Sequence, residues 1–239
     1  MFYQYYIMGI ILLPGLILAI YAEIKVTQTY EQYSKVYAQR NISAVDLLKR
    51  LATNCDMNYL KINKIPGNLT DHYNPQDQTI NLSQGIYDST SVSALGIACH
   101  EFGHALQNKK RYFPYQVRRV LVPITNFAST LLWPLVVIGL ILNLGAESGS
   151  VLGDIFMWSG IGFFGVAVLF NLATLPVEYD ASKRAIKILD SLGILNEEEL
   201  VGTKKVLNAA ALTYVAALIV SILNFLRFFL IIFLNRSRR

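Results

Sequence analysis

Four long apolar runs, at residues 5–22, 120–144, 155–175 and 206–234, limit what this chain can fold into more than any other feature of it. A helix needs about twenty apolar residues to cross the hydrocarbon core of a bilayer, and each run approaches or exceeds that length. No water in the hydrocarbon satisfies backbone N–H and C=O groups, so such runs must fold as internally bonded helices. The expected fold is therefore mainly α, a multi-pass helical membrane protein of about four spans. Of the 239 residues 54% are hydrophobic and 15% charged, whereas a soluble domain carries charge on about a quarter of its residues. The first run lacks a positive n-region and a clean cleavage site, so it reads as a retained helix and not as a signal peptide. Pro14 is expected to kink it, and Pro176 to end or kink the third run.

The positive charges orient these spans. Twelve Lys or Arg fall between Glu23 and Arg119, and none between Gly145 and Asp154. The positive-inside rule puts the large segment in the cytoplasm and the short link outside. Residues 120–175 then form a hairpin that returns residues 176–205 to the cytoplasm. The expected organisation is an N-terminal transmembrane helix (1–22), a cytoplasmic segment (23–119), a transmembrane hairpin (120–175), a cytoplasmic helix (176–205) and a C-terminal apolar, membrane-spanning helix (206–239). If that last helix spans, Arg236, Arg238 and Arg239 lie outside, against the rule, so the side of its end stays open. Its small-residue start, Asn208–Ala217, suits close helix packing and could cover a site. The net charge of +5 flanks apolar runs instead of forming one stripe, which excludes nucleic acid as the expected partner.

Within the polar segment, Ser43 to Asp46 opens an amphipathic helix with Val45, Leu47, Leu48 and Leu51 on its apolar side. Met57–Ile65 reads as a strand, Leu69–Pro75 as a loop and Thr79–Leu82 as a short strand. Asp88 to Ser91 offers N-caps for a helix that runs from Val92 to about Gln107 or Asn108. Its apolar part is too short to cross a bilayer.

That helix carries Cys99-His100-Glu101-Phe102-Gly103-His104. Histidines at i and i+4 share one helix face and can reach one metal ion, while the intervening glutamate can reach a water beside it. A hydrolytic zinc ion keeps three protein ligands and an open position. His100 and His104 are two, and the third must come from the same side of the membrane. His72 and Asp180 are candidates; Glu178, which the hairpin returns to that side, is the stronger one. Cys55 and Cys99 fit no metal or disulfide spacing and read as small buried hydrophobes.

His100-Glu101-Phe102-Gly103-His104, with Leu69-Thr70-Asp71-His72-Tyr73 upstream and Leu175-Pro176-Val177-Glu178-Tyr179-Asp180-Ala181-Ser182 downstream, resembles the bacterial YugP family of neutral zinc membrane metallopeptidases. The resemblance covers most of the chain. It implies a gluzincin-like site with Glu178 as the downstream glutamate. It also implies a small zincin-like α/β metallopeptidase domain, in which the Thr79–Leu82 strand would lie at a sheet edge beside the metal helix. In one respect the chain departs from the pattern. Many gluzincins carry an aspartate four residues after the ligand glutamate, supporting a histidine ligand, and here that position is Ser182.

The expected activity is zinc-dependent endopeptidase cleavage at the cytoplasmic face, with Zn2+ as cofactor and Glu101 as general base. Polypeptides, including membrane-protein segments, are the expected substrates, and the lipid bilayer is the expected surroundings. Oxyanion stabilisation falls to His72, Tyr179, Arg184 or Tyr214, among which the sequence does not choose. An edge strand would let a peptide add to the sheet. Two rival readings are an intramembrane zinc protease and a non-hydrolytic scaffold or chaperone with a structural zinc.

Overall fold

In the computed structural model, which describes residues 9–144 and 150–236, the apolar runs fold as helices. The elements in chain order are α1 (Leu13–Ser34), α2 (Ala44–Asn54), β1 (Lys61–Ile65), β2 (His72–Asn74), β3 (Thr79–Ser83), α3 (Gln84–Tyr87), α4 (Val92–Lys109), α5 (Phe113–Leu144), α6 (Val151–Ser191) and α7 (Glu197–Arg236). They cluster into two units. One holds the chain up to Tyr21, Val117–Leu175 and the chain from Thr213; the other holds Ala22–Gln116 and Pro176–Leu212.

The first unit is built from the apolar runs. Among the described residues three helices, α5, α6 and α7, are long and apolar enough to cross a membrane. Large side chains on them point outward, with Phe127 64% and Ile141 62% exposed, as lipid-facing positions must. Close backbone approach joins α5 to α6: a Cβ at Gly139 would lie 2.9 Å from the Gly153 carbonyl, and one at Gly160 2.7 Å from Val136. Small residues at such crossings are how membrane helices pack without a hydrophobic driving force. Asn143 Nδ2 donates to Asp154 Oδ1 at 3.1 Å at the hairpin's end; residues 145–149 of the link lie outside the described residues. The first apolar run is described only from Gly9. A turn at residues 11 and 12 precedes α1, which leaves Pro14 in the first helical turn, where a missing N–H costs nothing.

The second unit has an ordinary apolar core. Ser43 caps α2 by accepting from the Asp46 N–H, and Val45, Leu47, Leu48 and Leu51 are buried as their spacing predicts. Ser91 caps α4 through the Ala94 N–H. Leu47, Leu48, Met57, Ile80, Leu82, Leu95, Phe102 and Leu189 form the fully buried centre of this unit.

Three expectations are corrected here. The Thr79–Leu82 strand is not an edge: the sheet order is β1-β3-β2, and all five residues of β3 are buried. β1 runs parallel to β3, and β2 antiparallel with His72 opposite Asn81. The expected loop Leu69–Pro75 contains the strand β2, whose three residues are too few to show a period. Of the two outcomes expected at Pro176, an end or a kink, the end is excluded, because α6 runs unbroken from Val151 to Ser191. Val177, Ala181, Ala185 and Leu189, one row at every fourth position, are all fully buried, and this packing holds the helix through the proline.

Candidate metal centre

Helix α4 brings His100, Glu101 and His104 together, and α6 brings Glu178 to them. One ligand atom from each of His100, His104 and Glu178 lies within 4.8 Å of the others. Glu178 Oε2 is 3.2 Å from His100 Nε2 and 3.6 Å from His104 Nε2, with the carboxylate almost entirely buried. This closeness depends on Gly103. A Cβ there would sit 2.8 Å from the Ala181 carbonyl oxygen and 3.1 Å from its Cα, so the two backbones touch at the level of the three side chains.

The outer ring nitrogens are held too. Gln107 Nε2 donates to the Val177 carbonyl at 2.7 Å and to Asp180 Oδ2 at 2.8 Å. With the amide turned that way, Gln107 Oε1 accepts, and His104 Nδ1, 3.0 Å away, must be the donor. His104 therefore presents the lone pair of Nε2 to Glu178. His100 Nδ1 lies 3.1 Å from Ser182 Oγ, and the same tautomer follows when it donates there. Ser182 thus meets a histidine nitrogen, while Asp180 reaches His104 one step removed, through Gln107.

Two imidazole lone pairs and a carboxylate oxygen converging in a buried place form a set of acceptors that calls for a cation. The donor set fits zinc, which takes histidine nitrogen and carboxylate oxygen. Among the described residues no fourth His, Cys, Asp or Glu joins the group.

Glu101 is buried beside these groups, and its Oε2 accepts the Tyr73 N–H of β2 at 2.9 Å. Burial is the main cause that pushes its carboxyl up, to about 7; Glu178 and Asp71 push the same way, and His100 and the Tyr73 N–H oppose them. Asp71, itself raised chiefly by burial, accepts from the Ser83 N–H at 2.7 Å. Cys99 is fully buried, and burial pushes its thiol far up. Cys55 is half-buried and packs against the core.

The remaining sequence candidates lie apart from this group. His72 is exposed on β2, its Nδ1 donating to the Thr70 carbonyl at 2.8 Å and its Nε2 3.1 Å from Asn81 Nδ2, which donates to it. Both ring nitrogens are engaged. Arg184 Nε donates to Asp180 Oδ2, the i+4 pairing that its spacing allows. Tyr179 is half exposed on α6, and Tyr214 belongs to the other unit. Gln107, Gly103 and the Tyr73 N–H were not singled out from sequence. Gln107 follows His104 by three residues, the spacing of a helix neighbour, and a glycine within a helix is a recognised sign of close packing.

Comparison with known proteins follows the same lines. The profile of a family described as "Putative neutral zinc metallopeptidase" matches residues 8–233. The chain is 40% identical over 219 residues, 91% of its own length and 92% of its relative's, to a protein of Bacillus subtilis (strain 168) named "Putative membrane protease YugP". No solved structure matches the chain.

Proposed function

Because this chain belongs to the neutral zinc metallopeptidase family, we propose that it is a membrane-anchored zinc endopeptidase whose site opens on the cytoplasmic face. The observation that carries this reading is the grouping of His100, His104 and Glu178 within 4.8 Å, with Glu101 buried on the same helix. A zincin-like domain of the second unit and a fourth span at the first apolar run complete the reading. The cytoplasmic side is supported by the twelve cations between Glu23 and Arg119.

His100, His104 and Glu178 would hold the ion. Zinc bound there supplies Lewis acidity, lowering the pKa of a water towards about 7 and polarising a carbonyl. Glu101, raised to about 7, takes the proton of the attacking water and returns it to the leaving amine. Burial favours the protonated form, from which the second transfer proceeds. Gln107 and Ser182 hold the histidine rings so that each presents Nε2. His72 is a poor oxyanion donor because its one N–H is spent on Thr70. Arg184 is tied to Asp180, which leaves Tyr179, half exposed on α6, as the remaining choice in this unit. An extended peptide would pair with the open side of β2, next to Glu101, since β3 is central. The substrates that suit such a site are unstructured or membrane-anchored polypeptide segments. A structural zinc is usually closed by four protein ligands, and the three-donor group favours catalysis over a scaffold.

The test uses the purified full chain in detergent. Glu101→Gln should retain zinc by elemental analysis and lose at least about 100-fold in cleavage of an unstructured membrane-anchored polypeptide. Undiminished turnover would sink the mechanism. A topology reporter at Asn108 should be reached from the cytoplasm; protection within the bilayer would favour an intramembrane protease.

A further inference from the structure

Beyond the metal centre, the same stretch of α6 lines a concave place. Lys110 at the end of α4, together with Asp180, Lys183, Arg184, Lys187 and Ser191 of α6, borders a groove of about 380 Å³. The α6 residues recur at three- and four-residue intervals and so share one helix face. Four cations meet one carboxylate, and that carboxylate is already taken.

Asp180 Oδ2 accepts from Arg184 Nε. The Arg184 guanidinium also lies over the Tyr112 ring, 5.7 Å from its centroid. Its position is therefore fixed by an ion pair and a ring face, while its two terminal nitrogens meet no hydrogen-bond partner among the described residues. Lys110, Lys183 and Lys187 likewise have no carboxylate partner among the described residues. A pre-set guanidinium fork with mobile ammonium groups around it suits the several oxygens of a phosphate group. Segregation of positive charge to one side of a membrane accounts for many cations there, but not for their convergence on one groove around an anchored arginine.

We propose that this groove is an anion site that takes a phosphate group, carried by a phospholipid headgroup or by a free phosphorylated ligand. Arg184 is the fixed donor, and Lys110, Lys183 and Lys187 supply the surrounding charge. The site stands independently of the peptidase reading.

The probe is radiolabelled inorganic phosphate, dialysed to equilibrium against the full chain in detergent. The wild type should bind saturably, Lys183→Gln with Lys187→Gln should weaken binding at least about tenfold, and Lys183→Arg with Lys187→Arg should retain it. Phosphate held at the metal centre would survive both pairs of substitutions, so the difference between wild type and the Gln pair reads the groove alone. Unchanged zinc content and thermal unfolding of the Gln pair show that it folds. A second arm incorporates each protein into phosphatidylglycerol or phosphatidylcholine bilayers and counts retained lipid by native mass spectrometry. Loss of phosphatidylglycerol retention in the Gln pair, without phosphate binding by the wild type, assigns the site to a lipid headgroup. Phosphate binding that the Gln pair loses, without selective lipid retention, assigns it to a free ligand. Equal behaviour of wild type and Gln pair in both arms overturns the proposal.

Discussion

Helices α4 and α6 contribute to the candidate metal centre in opposite ways. α4 supplies two nitrogen donors and a carboxylate within one turn and a half, so its share is set by local sequence alone. The polar end of α6 supplies one donor, Glu178, and almost everything that orients the others: Ser182 beside His100, and Val177 and Asp180 behind Gln107. The donors of a metal site can be local while their alignment is not. Substitutions on α6 should therefore disturb metal binding as deeply as those on α4.

The largest effect is expected from Glu178→Ala. It removes one of three proposed ligands and leaves two histidines, so zinc affinity in the purified chain should fall by more than the factor of about 100 that bounds losses from supporting groups. Asp180→Ala should cost no more than about 10-fold, because Gln107 keeps its bond to the Val177 carbonyl. Competition with a zinc chelator measures both. A reversed order would transfer the ligand role to Asp180 and dissolve the contrast between donor and support.

Gly103→Ala comes next. Its new methyl meets the Ala181 backbone, which cannot turn aside as a flexible side chain would. Overpacking of this kind costs about 1–3 kcal/mol, read as a lowered unfolding midpoint. Separation of the helices also draws Glu178 from both histidines, so zinc affinity should fall together with stability. A stable variant with intact affinity would show that the crossing does not set the site.

These cases show what the sequence disclosed. H-E-x-x-H is a spacing on one helix, and spacing is what a sequence states directly. Glu178 was reached through an argument about membrane topology and through a family resemblance, because no periodicity links positions 104 and 178. The continuity of α6 through Pro176 was hidden, since local sterics at a proline predict a break and only the buried row from Val177 to Leu189 overrides them. β2 was hidden for another reason. His72-Tyr73-Asn74 is too short to show a period, and the edge position of β3 was implied by the resemblance alone; a strand whose N–H holds Glu101 was read as a loop. The apolar runs were legible as helices because lipid permits so little else, whereas which polar residues share those helices was not.

Gln107→Met tests the local half of the support. It keeps the volume but removes the acceptor for His104 Nδ1 in a fully buried place. No water can readily replace it, and the ring is free to present either nitrogen. Zinc affinity should drop about 10- to 100-fold, as for other supporting groups of metal-bound histidines. Unchanged affinity would mean that packing, and not the amide, fixes the ring.

Ser182→Ala should have the smallest effect, although it too removes a partner of a histidine Nδ1. Ser182 is only half-buried, so water can take the place of the lost hydroxyl, which the fully buried place of Gln107 does not allow. A loss below about 10-fold is expected. Ser182→Asp sharpens the contrast from the other direction. A carboxylate against Nδ1–H makes the imidazole a more basic donor, and α6 already holds the position within reach of His100. Zinc affinity should then exceed that of the wild type. A decrease would show that the serine is not a weaker form of an aspartate's role, because misfit of the larger side chain between α4 and α6 would then outweigh the stronger hydrogen bond.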